Sequence, residues 1–192
     1  MPYSRDSDLS SRFNRLWNDI LHTSGVDYLS NLTTSDLTEL KLAISNINNI
    51  ITHRVSLAFV EELGRWGIIS NEQVNSIKHS IDVQHPNSNG YDIQNEGSKI
   101  LAEVKCNIPV LHHRFGSAQC AAIRTDLNGL RSGKTKGLRD TSDYRKFLVL
   151  HAIPGVREAM NELCRTEEDC VIWDGSTPID TKHIYIVFIT SI

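Results

Sequence analysis

Cysteine is scarce and unclustered in this 192-residue chain: Cys106, Cys120, Cys164 and Cys170 are its four, and none stands in the C-x-x-C spacing of redox or zinc sites. A disulfide scaffold is excluded and reduced thiols are expected. The neighbouring His112-His113 adds no zinc cluster to Cys106, because adjacent side chains in regular structure point apart. Proline is limited to five residues and glycine to eleven, which rules out collagen-like and low-complexity chains. Long apolar runs are missing too. The longest, Ile184–Ile189, falls far short of the ~20 residues that cross a bilayer. The opening MPYSRDSDLSS has no apolar signal region, so no membrane partner and a cytoplasmic location are expected. What remains is 40% apolar and 22% charged residues, enough to build one core. The expected organisation is a single domain over 1–192, with a mainly helical part over 1–80 and an α/β core over 81–192.

Neither charge sign dominates, since 20 Lys and Arg stand against 23 Asp and Glu. The balance is uneven along the chain, however. Between His112 and Lys146 there are eight bases (Arg114, Arg124, Arg131, Lys134, Lys136, Arg139, Arg145, Lys146) and three acids (Asp126, Asp140, Asp143). The other residues then hold twelve bases against twenty acids. Such a separation can offer a basic face to a polyanion while the rest keeps the molecule dissolved.

Helical periodicity governs the first third. Phe13, Leu16, Trp17, Ile20 and Leu21 form an apolar stripe ending near Gly25. A second helix starts at Ser35 or Asp36, with Glu39 completing a capping box, and runs to about Trp66-Gly67. A third covers Asn71–His79. From Ile81 the period shortens, predicting strands at Ile81–Gln84, Tyr91–Gln94, Lys99–Cys106, Lys146–Ile153 and His183–Thr190, with helices over Phe115–Leu130 and Val156–Cys164. This order predicts an α/β fold with a central mixed β-sheet flanked by helices.

The segment from Gly90 to Lys105 carries the chemistry. A two-residue Gly97-Ser98 turn, suited to type II′ geometry, sets Asp92 across from Glu103, whereas a four-residue Asn95–Ser98 loop would set it across from Leu101, on the same face in either case. Alternation then places Ile100, Ala102, Val104 and Cys106 on one face with Tyr91 and Ile93, and Glu103, Lys105 and Asp92 on the other. Two carboxylates facing each other across a hairpin repel unless a positive charge separates them. A hard divalent cation meets that need and keeps coordination positions open for water and phosphate. Lys105, one pleat beyond Glu103, can orient a water and neutralise a scissile phosphate.

Asp92 followed by Glu103-Val104-Lys105 at the end of an apolar strand resembles the PD-(D/E)xK nuclease superfamily, the fold of many type II restriction endonucleases. Tyr91 stands where the motif's name has proline, a variable position. The likeness covers roughly the second helix to Val149 and implies a restriction-endonuclease-like core of helix, three-stranded meander, helix and strand, behind an N-terminal helical layer. It implies Mg2+ as cofactor, with Mn2+ able to substitute, held by Asp92, Glu103 and the Val104 carbonyl, and double-stranded DNA as substrate. It also implies an acid on the helix before the meander. Glu62 lies five whole turns from Ile44 on the apolar stripe, and Glu61 is the alternative. Arg114, Gln119, Arg124, Arg131, Lys134 and Lys136 are then the expected DNA contacts, positioning rather than reading sequence. A homodimer is expected because duplex cutting needs two active sites. Lys105→Ala is expected to abolish cleavage with little effect on folding. A repair or structure-specific nuclease, and a non-cutting DNA-binding module, are the competing readings.

Overall fold

Two compact units, Met1–Ile47 and Asn48–Ile192, divide the chain. A computed structural model describes residues 5–83, 90–110, 113–134 and 138–190. Among them no helix is long and apolar enough to cross a membrane.

The first unit is helical. Helix α1 covers Arg5–Ile20, a 3₁₀ turn follows at Leu29–Asn31, and α2 begins at Thr34. Two asparagines on α1 hold the connecting loop. Asn14 Oδ1 accepts from the Tyr28 and Leu29 amides, each at 2.9 Å, and Asn18 Oδ1 accepts from the Val26 amide at 3.1 Å. The cap of α2 lies slightly earlier than the Ser35 or Asp36 expected from the sequence. Thr33 Oγ1 accepts from the Asp36 amide, and Asp36 Oδ2 accepts from the Thr33 amide at 2.7 Å, a reciprocal capping box.

The second unit takes up α2, which runs through to Arg65, then α3 at Asn71–Val83. Ser70 and Gln73 box the start of α3 in the same reciprocal way. A five-stranded mixed sheet follows in the order β1-β2-β3-β5-β4. Its strands are β1 (Ile93–Asn95), β2 (Ile100–Lys105), β3 (Arg145–His151), β4 (Cys170–Ile172) and β5 (Ile184–Ile189); helices α4 (Ser117–Ser132) and α5 (Val156–Cys164) connect them. Only the β1–β2 pair is antiparallel. The α/β class with a mixed sheet and flanking helices is therefore correct.

Parity along the strands sorts the core into two layers. Ile93, Ile100, Ala102, Val104, Phe147, Val149, Tyr185 and Val187 pack with Val55, Phe59 and Leu63 of α2 and Ile77 and Ile81 of α3. Leu101, Leu148, Leu150, Ile184 and Ile186 pack with Ile123, Leu127 and Leu130 of α4 and with α5. Covered on both faces, β3 carries the continuous apolar run Phe147–Leu150, whereas in β2 Glu103 interrupts the run.

Three expectations need correction. No strand covers Ile81–Val83, because α3 continues to Val83 with Ile77 and Ile81 buried one turn apart; Gln84 lies outside the described residues. A two-stranded hairpin therefore precedes α4 where three strands were expected. The short edge strand β4, three half-buried residues, is an addition to the expected set. Tyr91 joins the α4 side of the core and not the Ile93 side. It precedes β1, so strand parity does not govern it.

Candidate functional site: an acidic hairpin against helix α4

The hairpin register is the one the sequence implied. Ile93 faces Ala102, Gln94 faces Leu101 and Asn95 faces Ile100, and Asp92, just before β1, meets β2 at Val104. The turn differs from type II′. Lys99, not Gly97, takes the left-handed conformation, at φ 52°, and Asn95 Oδ1 ties the turn by accepting from the Ser98 amide and hydroxyl at 2.8 and 2.7 Å. A type I turn closed by one left-handed residue is the usual longer alternative to the two-residue hairpin loop.

Glu103 sits between Leu101 and Lys105 on the α4 face of β2 and is only 4% exposed. Asp92 is fixed by the hairpin itself, since its Oδ2 accepts from the Val104 amide at 2.7 Å. Lys105 pairs with Asp126 of α4, Nζ to Oδ2 at 2.6 Å. Lys134, just past the end of α4, pairs with Glu103 Oε1. Five charged groups thus meet where β1, β2 and α4 converge: three acids and two lysines. Glu103 Oε1 and Asp126 Oδ2 are both buried, and each is contacted by one lysine ammonium.

Burial raises the Glu103 carboxyl to about 8, helped by the facing Asp92 carboxylate and by Asp126; the Lys134 ammonium offsets this only in part. Asp92 is also raised, chiefly by burial, with the Val104 amide and the two lysines acting against it. Burial opposes the Lys105 charge, yet Asp126, Glu103 and Asp92 together lift its pKa above the ordinary lysine value. The region is short of positive charge.

A divalent cation fits that shortage. Asp92 and Glu103 supply two carboxylates near enough that the first raises the pKa of the second, and Glu103 Oε1 is buried against a single lysine. Among the described residues no group of three or more His, Cys, Asp or Glu side chains is arranged to hold a metal. A cation here would therefore rely on two carboxylates completed by main chain and water, a pattern suited to Mg2+. The Val104 amide is already used in holding Asp92, so Val104 contributes to the site through its N–H as well as being the expected carbonyl donor.

The other expected residues lie elsewhere. Glu61 pairs with Lys78 at 2.7 Å and Glu62 with Arg65 at 2.6 Å, on a helix that packs against the opposite face of the sheet from Glu103. Glu62 is the more buried of the two, as the stripe argument required, but its partner is on its own helix. Gln119 staples the loop before α4: its Oε1 accepts from the Gly116 amide at 2.9 Å and its Nε2 donates to the Ile108 carbonyl at 2.8 Å. Arg124 bonds Glu167 at 3.0 Å. Arg131 holds Asp169 through two nitrogens, at 2.7 and 2.5 Å, and Glu167 at 2.8 Å. Arg145 donates to the Ser98 carbonyl and Lys146 to that of Thr181. Arg114 lines a cleft of about 300 Å³ with Arg124, Phe115 and Cys120, and Lys136 lies outside the described residues. Much of the basic segment is thus consumed by contacts within the protein.

Asp126 was missed by sequence reasoning, although a signal existed. It falls three residues after Ile123 and four before Leu130, on the stripe that α4 buries. That is the same core-facing position for an acid that singled out Glu62. The chain matches no family model, no curated protein and no solved structure.

Proposed function

We propose that this protein is a Mg2+-dependent endonuclease that hydrolyses phosphodiester bonds of duplex DNA, with a site like that of PD-(D/E)xK restriction endonucleases. The observation that carries this reading is the convergence of Asp92, Glu103 and Lys105 around the end of β2, in a cluster with three carboxylates to two ammonium groups. Asp92 and Glu103 hold the cation, which when bound supplies charge neutralisation at the scissile phosphate. Lys105 orients the attacking water and faces the developing negative charge. Asp126 fixes the direction of the Lys105 ammonium and keeps it protonated. The reading includes a cytoplasmic homodimer acting on a two-fold target, since each chain supplies one hydrolytic site.

The competing reading is a DNA-binding module that keeps the fold and does not cut, although the internal pairing of Arg124 and Arg131 leaves those two bases no free charge for phosphate. One experiment separates them. Purified protein is incubated with plasmid and phage DNA in Mg2+, against chelator and the double variant Lys105→Ala/Asp126→Asn. Discrete Mg2+-dependent fragments lost in the variant are expected. A smear, or preference for flaps and ends, assigns a nonspecific or repair nuclease of the same chemistry. Intact DNA with every divalent metal overturns the nuclease reading.

A further inference from the structure

Lys134 reaches the hairpin acids because two glycines clear its path. Gly133 closes α4 at φ 84°, and a Cβ there would stand 2.3 Å from the Arg139 carbonyl oxygen, so only glycine makes this turn. The turn folds Lys134 back along the helix, its stem lying over Gly129, where an added Cβ would come within 3.2 Å of Cε. The ammonium then donates to the Gly90 carbonyl at 2.7 Å, sits 4.8 Å from the centroid of the Tyr91 ring and meets Glu103 Oε1. Tyr91 is fixed in turn by its hydroxyl, which donates to the Gly129 carbonyl at 2.7 Å.

The two lysines of the site are held differently. Lys105 is drawn toward Asp126, whereas Lys134 lies directly on one of the two carboxylates that the cation needs. Net charge decides which lysine can stay when a cation enters. Three acids with both lysines and a divalent ion would leave one positive charge in excess in a largely buried site. Three acids with Lys105 and the divalent ion are neutral. Burial penalises the first arrangement and permits the second.

Resting on the metal-dependent reading above, we propose that Lys134 is the resident occupant of the cation site: its ammonium holds Glu103 Oε1 in the metal-free protein, and Mg2+ binding displaces it, so that it then serves a phosphate oxygen of the bound nucleic acid. The displaced group has little to lose, because a carbonyl and a ring face exchange readily for water and phosphate. A residue of the same segment thus acts as plug without metal and as anchor with it.

The test needs no cleavage. Wild-type protein is pulsed with an amine-acetylating reagent, with and without saturating Mg2+ and without DNA, and modification is read by mass spectrometry with exposed Lys182 as internal reference. A several-fold rise in Lys134 labelling on Mg2+ addition is expected, with Lys105 unchanged. Calorimetry of Lys134→Met should show Mg2+ binding at least tenfold tighter than wild type, since no ammonium then competes. Mg2+ binding with unchanged Lys134 labelling, or equal affinity in Lys134→Met, overturns the exchange and leaves the metal site standing. Absence of any Mg2+ binding to wild type overturns both. Should Lys134→Met fail to fold, the wild-type labelling experiment decides.

Discussion

Two charge clusters share helix α4, and they are built on opposite plans. On one flank Arg124 and Arg131 meet Glu167 and Asp169, two bases against two acids, with directed hydrogen bonds. Arg131 is forked onto Asp169, which raises the guanidinium pKa further and lowers that of the Asp169 carboxyl. On the other flank Asp92, Glu103 and Asp126 outnumber Lys105 and Lys134, each lysine making a single close contact with one carboxylate. The balanced cluster is a clamp between α4 and the segment leading into β4. The unbalanced one has capacity for a further positive charge. Composition is similar in both, and what differs is stoichiometry and alignment.

The sharpest way to break this contrast is at Lys105. Lys105→Ala should lower Mg2+-dependent cleavage by about a thousandfold, the scale set by removing one group that faces developing charge. The structure changes the expectation for folding, because the variant leaves Asp126 half-buried without its ammonium, at a cost of ~2 kcal/mol. Adding Asp126→Asn should restore the denaturation midpoint without restoring cleavage. A double variant that cuts DNA would remove Lys105 from the chemistry.

The corresponding lesion in the clamp has the opposite signature. Arg131→Ala strands Asp169 and leaves Glu167 with Arg124 alone, and should cost about 3 kcal/mol in urea unfolding. Once folded, the variant should keep the wild-type salt dependence of DNA binding. A slope smaller by about one would mean that Arg131 touches phosphate after all.

The imbalance should also be visible as pH dependence in chelator. Glu103 has its carboxyl raised from 4.5 to about 8. Between those values the folded protein holds a proton that the unfolded chain releases, so this group's contribution to stability falls as pH rises, at a slope approaching ~1.4 kcal/mol per pH unit. Glu103→Gln removes the titration. The variant should gain stability relative to wild type from about pH 4.5 to 8, and a pH-independent difference would show that Glu103 is ionised throughout.

Period and parity made much of this legible in advance. The α5 boundaries, the hairpin register and the face shared by Glu103 and Lys105 all come from local pattern, which needs no knowledge of distant partners. The α3 extension was hidden because Ile77 and Ile81 satisfy a helical stripe while Ile81–Gln84 taken alone reads as a strand. The fate of the arginines was hidden for another reason. Arg131 and Asp169 are 38 residues apart, and nothing in a charge count says whether a base faces solvent or an acid brought in by the fold. The basic surplus was real in sequence, and Glu167 and Asp169, outside the counted segment, offset it.

Arg124 is the finest probe of that distinction. Its guanidinium reaches Glu167 at 3.0 Å and Thr166 Oγ1 at 3.3 Å, but its side chain is 48% exposed, so solvent screens most of the attraction. Arg124→Ala should therefore cost no more than ~1 kcal/mol. Glu167 retains Arg131, whose 2.8 Å bond does not depend on Arg124, so the clamp should lose strength without opening. A double-mutant cycle with Glu167→Gln, read by urea unfolding, should give a coupling below that between Arg131 and Asp169. Equal couplings would mean that the two arginines are interchangeable, and that alignment adds nothing to stoichiometry in separating a clamp from a site.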